Sequence, residues 1–150
     1  MKTPTQRQRL VINVEKCCGC FACVAACPEK GIAFHDEGTQ RLFSAPWFCE
    51  ALCDACQKVC PVDAIVLKPL EDSQESPVSM TFTWSISLMP CRKCGQPHTT
   101  DKLRRLLEEK LKELIESSEI PPDWMPLCPP CRREEEAHRL RAATRTFPWP

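Results

Sequence analysis

Thirteen of the 150 residues are cysteines, in three groups: Cys17, Cys18, Cys20, Cys23 and Cys27; Cys49, Cys53, Cys56 and Cys60; and two pairs, Cys91/Cys94 and Cys128/Cys131. A cysteine can be a nucleophile, a disulfide partner or a ligand for soft metals, and the compartment decides among these. The leading residues, MKTPTQRQRLVINVEKCC, lack the apolar core and small-residue cleavage site of a secretory signal. No stretch approaches the roughly 18 apolar residues of a membrane span. The chain is therefore expected in the reducing cytoplasm, where clustered cysteines bind metal or serve redox chemistry rather than form disulfides. A chain of this length with 43% hydrophobic residues, cysteines included, has a thin core and gains from metal cross-links.

The spacing of the first group narrows the chemistry. Cys17-x2-Cys20-x2-Cys23-x3-Cys27-Pro28 is the run by which [4Fe–4S] cubes are held. Three thiolates on a tight loop wrap three irons, while the loop's N–H groups turn towards the anionic sulfurs. The fourth cysteine starts the next turn and points away, so it serves a second cluster. The proline after it offers no competing N–H and turns the chain out. Sliding the sequence by 33 residues lays Cys20-Phe21-Ala22-Cys23 and Cys27-Pro28 on Cys53-Asp54-Ala55-Cys56 and Cys60-Pro61, and Ile32 on Ile65, an internal repeat. Zinc sites could be cut from either group, but two copies each closed by proline fit them poorly. Cys18 breaks no spacing and is read as a buried or spare thiol beside the cluster.

Residues 10–68 resemble the two-cluster bacterial ferredoxins through these motifs and Cys53-x2-Cys56-x3-Cys60-Pro61. The resemblance implies that Cys17, Cys20, Cys23 and Cys60 hold one [4Fe–4S] cluster and Cys27, Cys49, Cys53 and Cys56 the other. The second run departs from the family at its start: three residues separate Cys49 from Cys53, and Glu50 stands at the repeat position of Cys17. One extra residue is a bulge that a loop absorbs. Glu50 as an oxygen ligand and a [3Fe–4S] centre at this run are the alternatives.

Cys91-Arg92-Lys93-Cys94-Gly95 and Cys128-Pro129-Pro130-Cys131 are two C-x2-C knuckles. Four thiolates in tetrahedral reach suit a closed structural zinc site, and Gly95 supplies the positive φ that lets amides approach the sulfurs. Rubredoxin-like iron uses the same four thiolates. A thioredoxin-like dithiol at Cys128 and Cys131 lacks the βαβ surroundings that motif needs, and His98, after Pro97, is expected at the surface.

The elements that must position these groups form an α+β chain: a two-cluster ferredoxin fold with a pseudo-twofold repeat over 1–70, a linker at 71–77, and a small zinc-bound strand-helix module over 78–150. Strands are expected at Leu10–Val14, Gly31–Phe34 and Ala64–Leu67, with a turn at Asp36-Glu37-Gly38-Thr39. Val78 to Leu88 alternates strictly between apolar and hydroxyl residues and predicts a half-buried strand. It has no evident partner in the second half, so its apolar face is either core or an edge for another subunit. A helix follows from a Thr100 or Asp101 cap to about Ser117, with Leu103, Leu106, Leu107, Leu111, Leu114 and Ile115 on one stripe, stopped by Pro121-Pro122. A second is expected from Arg132 to about Ala143 with Glu135 and Arg139 paired. The ending Phe147-Pro148-Trp149-Pro150 is a tail or an anchor on a partner.

Clusters fully ligated by cysteine leave no iron open to substrate, so the expected chemistry is one-electron transfer and no catalytic residue is assigned. There is no Gly-rich nucleotide loop and no Ser/His/Asp grouping, and His35, His98 and His138 are isolated. Balanced charge, 20 basic against 20 acidic residues, gives no footprint for nucleic acid. The order of parts is similar to the ferredoxin-like subunit of formate-hydrogenlyase-type [NiFe] hydrogenases, relatives of the two-cluster subunit of respiratory complex I. That resemblance implies an electron-transfer subunit of an oxidoreductase complex, between a hydrogenase or formate dehydrogenase type catalytic subunit and other redox centres. It also implies redox protein subunits as partners and, through them, a place on the cytoplasmic face of the membrane. The alternatives are a free ferredoxin carrier and an iron-sulfur and zinc regulator that binds nucleic acid, motivated by Arg92, Lys93, Arg132 and Arg133 beside the knuckles.

Overall fold

The computed structural model describes residues 7–49, 53–70 and 80–145 and divides into two compact units, Met1–Ser87 and Leu88–Pro150. The linker at 71–77, Val78, Glu50 and the Phe147–Pro150 ending lie outside the described residues.

In the first unit the repeat appears as two copies of strand, short helix, strand. The first copy is β1 (Gln8–Ile12), α1 (Ala22–Ala26) and β2 (Ala33–Glu37); the second is β3 (Gln40–Pro46), α2 (Ala55–Lys58) and β5 (Ile65–Pro69). Strands pair between copies: β1 runs antiparallel to β5 with Ile12 opposite Ile65, and β2 antiparallel to β3 with Phe34 opposite Phe43. The pseudo-twofold shows in detail. Lys30 and Asp63, 33 residues apart, both take positive φ, 52° and 48°, where each chain leaves its cysteine run. The β2–β3 hairpin turns at Gly38, whose φ of 56° is where glycine meets no Cβ penalty.

Trp47 bends the chain out of β3 into the two-residue β4 (Phe48–Cys49), which pairs with β1, so Cys49 lies opposite Gln8. The strand thereby switches from one sheet to the other, and this is where the second copy departs from the first.

The alternating segment forms β6 (Thr81–Ser87), with Trp84 buried, Phe82 and Ile86 half-buried, and threonine and serine exposed. Its partner is β3, in full register from Gln40 opposite Ser87 to Pro46 opposite Thr81, giving the sheet order β2-β3-β6. The expectation that it opens the second module is corrected, since it pairs along β3 in the first unit, and of the two alternatives for its apolar face, core or an edge for another subunit, the core one is found. Trp84 stacks on Phe43 at 5.0 Å and Phe82 at 5.3 Å, and joins Leu10, Ile32, Phe43, Ala45, Cys56 and Ile65 in the core.

The second unit holds a two-stranded ribbon of β7 (Met89–Pro90) and β8 (Pro97–Thr99), then α3 (Asp101–Lys110), α4 (Lys112–Glu116) and α5 (Pro129–Arg145). Thr100 caps α3 by accepting from the Leu103 N–H at 3.0 Å. The expected single helix is broken at Leu111 (φ −103°), and no residue of α3 or α4 is fully buried. Helix α5 starts three residues earlier than expected because proline suits the first turn, whose N–H groups have no partner in the helix. Arg139 pairs with Glu136 at 3.0 Å, while Glu135 goes to Lys93 at 2.6 Å, so the expected Glu135–Arg139 pair does not form. Among the described residues no helix is long and apolar enough to cross a membrane.

Candidate iron-sulfur and metal centres

Cys17, Cys18, Cys20 and Cys53 lie on the loops that lead into the short helices, Cys23 and Cys56 within α1 and α2, Cys27 and Cys60 just after them, and Cys49 at the end of β4. Asn13 accepts from the Lys16 N–H at 3.1 Å and holds the turn that enters the first run. Gly19 and Phe21, at φ 71° and 52°, fold the loop back before α1. Cys27, Cys49, Cys53 and Cys56 line one cavity of about 510 Å³, floored by Leu10, Ile32 and Leu67. Cys17, Cys20, Cys23 and Cys60, with Cys18, line another, walled by Ile12, Phe43, Ile65 and Trp84. Cys27 and Cys60 thus each face the cavity lined by the other copy's run.

The donor chemistry suits iron-sulfur cubes. The Gly31 N–H donates to Cys27 Sγ at 3.3 Å and the Ala64 N–H to Cys60 Sγ at 3.2 Å, the same four-residue offset in both copies. Such bonds stabilise the thiolate that a ligand must become. Within the first loop the buried Cys18 thiol is hydrogen-bonded to Cys20: this bond, with burial, holds the Cys18 thiol well above its ordinary range, while Cys20 is drawn down to about 6 by the Cys18 bond despite burial. Burial is the largest effect pushing the Cys23 thiol up to about 12 and that of Cys56 up to about 11. Metal centres held by Cys23 and by Cys56 would need these thiols deprotonated, which their burial opposes.

The third site is the core of the second unit. Cys91, Cys128 and Cys131 are buried with Leu127, and Cys94 is exposed. All four sulfurs lie within 4.8 Å of one another, Cys94 and Cys128 at 3.6 Å. A tetrahedron with zinc-sulfur bonds of about 2.3 Å has edges of roughly 3.8 Å, so the cage fits such an ion with small adjustment. Gly95, at φ 76°, closes the first knuckle by donating to the Cys91 carbonyl at 2.9 Å, and the Cys128 N–H donates to Cys91 Sγ at 3.3 Å. Burial alone would raise the Cys91 thiol, yet amides of Cys94, Cys128 and Lys93 hold it down at about 5, whereas its bond to Cys128 and burial push Cys131 up to about 12. Arg132 ties the second knuckle to the preceding turn, donating to the Trp124 and Leu127 carbonyls at 2.8 and 2.9 Å. His98 lies half-buried in β8, not at the surface, and outside the four-sulfur group.

Sequence reasoning passed over Arg41. Buried at 5% exposure, it donates from Nε and Nη2 to the Asp36 carboxylate at 2.7 and 2.8 Å, and from Nη1 to the Gly19 carbonyl in the first cysteine loop at 3.0 Å. A signal was present, since Asp36 and Arg41 flank the hairpin turn and Arg41 alternates with Phe43 and Ala45 on one face of β3.

Residues 9–61 match the family described as the 4Fe-4S dicluster domain. Over 70 residues the chain is 37% identical to an uncharacterized ferredoxin of Methanocaldococcus jannaschii, covering 43% of this chain and 44% of that protein. Over 60 residues it is 42% identical to a ferredoxin of Pyrobaculum islandicum, covering 39% and 51%. A 53-residue stretch, 35% of this chain, is 36% identical to 10% of an archaeal-type glutamate synthase [NADPH] of Thermotoga maritima. The chain spans about half the length of the two ferredoxins it matches. Over residues 9–61 the chain is thus similar to ferredoxin-type 4Fe-4S domains, which supports a ferredoxin-like unit there, and the four-cysteine cage is compatible with a metal-binding module.

Proposed function

We propose that this chain is an iron-sulfur electron-transfer subunit of a multisubunit oxidoreductase, with Cys17, Cys20, Cys23 and Cys60 holding one [4Fe–4S] cluster, Cys27, Cys49, Cys53 and Cys56 the other, and Cys91, Cys94, Cys128 and Cys131 a zinc ion. The observation that carries the reading is the crossed lining of the two cavities, each lined by cysteines of one run and the last cysteine of the other. A bound cube supplies one-electron uptake and release. What the chain contributes is thiolate charge, N–H donors at Gly31 and Ala64 that favour it, and apolar walls that keep water from the sulfurs. The chain itself has no substrate site in this reading.

A subunit role is supported by the second unit, which electron carriage alone does not require, and by the match to a small part of a much larger glutamate synthase. The order of parts leads us to a hydrogenase or formate dehydrogenase type assembly on the cytoplasmic face of the membrane, with cluster-bearing subunits as partners and no role for nucleic acid. A free carrier is the second reading, favoured by the two relatives named ferredoxin. Native gel filtration of anaerobic extract, followed with an antibody to this chain, separates them. A subunit elutes in a large complex with a redox protein, whereas elution at the size of its own 17.1 kDa contradicts the subunit reading.

A further inference from the structure

The two cysteine-lined cavities share the same crossed lining, yet one has a buried cation beside it and, among the described residues, its counterpart does not. Arg41 is the buried charged side chain among the described residues, and its guanidinium lies 5.3 Å from the ring centroids of both Phe21 and Phe34. Those rings stack at 4.9 Å and screen the guanidinium from water. Its Nη1 donates to the Gly19 carbonyl, which belongs to the same peptide as the N–H of Cys20. A cation on the carbonyl polarises that peptide and strengthens its N–H as a donor towards the loop's sulfurs. Shifting by 33 residues replaces Arg41 with Gln8, Phe21 with Asp54, Phe34 with Leu67 and Asp36 with Pro69. The second loop therefore has an exposed carboxylate, paired with Lys58 at 2.9 Å, where the first has an aromatic ring over a guanidinium.

We propose that Arg41 is a positioning residue that makes the two cluster sites unequal, raising the reduction potential of the site lined by Cys17, Cys20, Cys23 and Cys60 and leaving the other unchanged. This rests on the two-cluster reading. Reduction adds one electron and one negative charge to a site, with no bond made or broken, and a buried positive charge favours the more negative state. Asp36 offsets this only in part. Its side chain is 38% exposed against 6% for Arg41, so water screens the carboxylate more than the cation, and it bonds Nε and Nη2 rather than the nitrogen facing the loop.

The test is an EPR-monitored redox titration of anaerobically reconstituted full-length protein with dithionite, the signal of the first site being assigned by its loss or change in Cys17→Ser. Arg41→Gln is expected to shift the equilibrium of that site at least tenfold towards the oxidised form, about 59 mV for one electron, without moving the second. Asp36→Asn, which removes the opposing charge at a partly exposed position, is expected to shift the same site in the opposite direction, and Arg41→Lys to stay nearer the parent than Arg41→Gln does. Two unmoved couples, two couples moved equally, or Asp36→Asn and Arg41→Gln shifting the same way would overturn the proposal. If Arg41→Gln does not load iron, the sign of the Asp36→Asn shift decides. An iron count of four or fewer in the parent protein sinks the two-cluster reading, whereas about eight irons with unmoved couples sinks this inference alone.

Discussion

Cys27 and Cys60 each accept an N–H bond from the residue four places on and each face the cavity of the other run. Cys60→Ser is therefore expected to perturb the EPR signal of the site lined by Cys17, Cys20 and Cys23. A change confined to the other signal would make the crossed assignment wrong. At Asp36 the Arg41 guanidinium holds the carboxyl below its ordinary value of 3.8. A depressed folded-state value gives stability that is present above the unfolded value and lost as pH falls through the folded one. The pair should therefore stabilise the first unit above about pH 4 and fade below it. Asp36→Asn should flatten that acid limb in pH-dependent urea unfolding, and an unchanged slope would show the pair contributes nothing. The cysteines were legible at this scale because their spacing is their chemistry. Arg41 was not, because a lone arginine in a strand is ordinarily solvated, and its burial depends on rings and a carbonyl distant in sequence.

Strand β6 shows what one-dimensional reading reaches at the level of elements. Its alternation forecast which side chains of Thr81–Ser87 are buried, but its partner β3 lies about 40 residues earlier, and a period of two carries no information on pairing. Trp84 packs between Phe43 and Phe82, so Trp84→Ala should cost about 3–5 kcal/mol in chemical denaturation of the first unit. Because β6 shields β3, a fragment ending at residue 87 should keep both clusters, while one ending at residue 77 should lose iron on standing. Equal retention by the two fragments would show that β6 is dispensable. In the second unit Thr100→Ala removes the α3 cap and should cost about 1 kcal/mol, read in the unfolding transition of that unit. The cap, the helix and its polar face were all readable locally. The break at Leu111 was not, since the leucine stripe continues through it.

For the molecule as a whole, the repeat disclosed the first unit almost completely, while the division at Ser87/Leu88 depended on the pairing of β6 and fell ten residues beyond the acidic, proline-bearing stretch expected to mark it. On the proposed loading, two oxidised cubes and one zinc, each with four thiolates and each carrying about −2, would turn a formal charge of zero into about −6, so loaded protein should bind an anion exchanger more tightly than stripped protein. Cys91, Cys128 and Cys131 form a buried cluster with Leu127 in the second unit, so on the zinc reading chelation should lower helical circular dichroism, with re-addition of zinc restoring it. The measurement that reaches furthest is iron, acid-labile sulfide and zinc analysis of anaerobically purified protein, with EPR after reduction. About eight irons, about eight sulfides and about one zinc per chain, with two interacting reduced centres, are expected from two four-cysteine cubes and one tetrahedral site. Four irons or fewer after careful anaerobic reconstitution would contradict it.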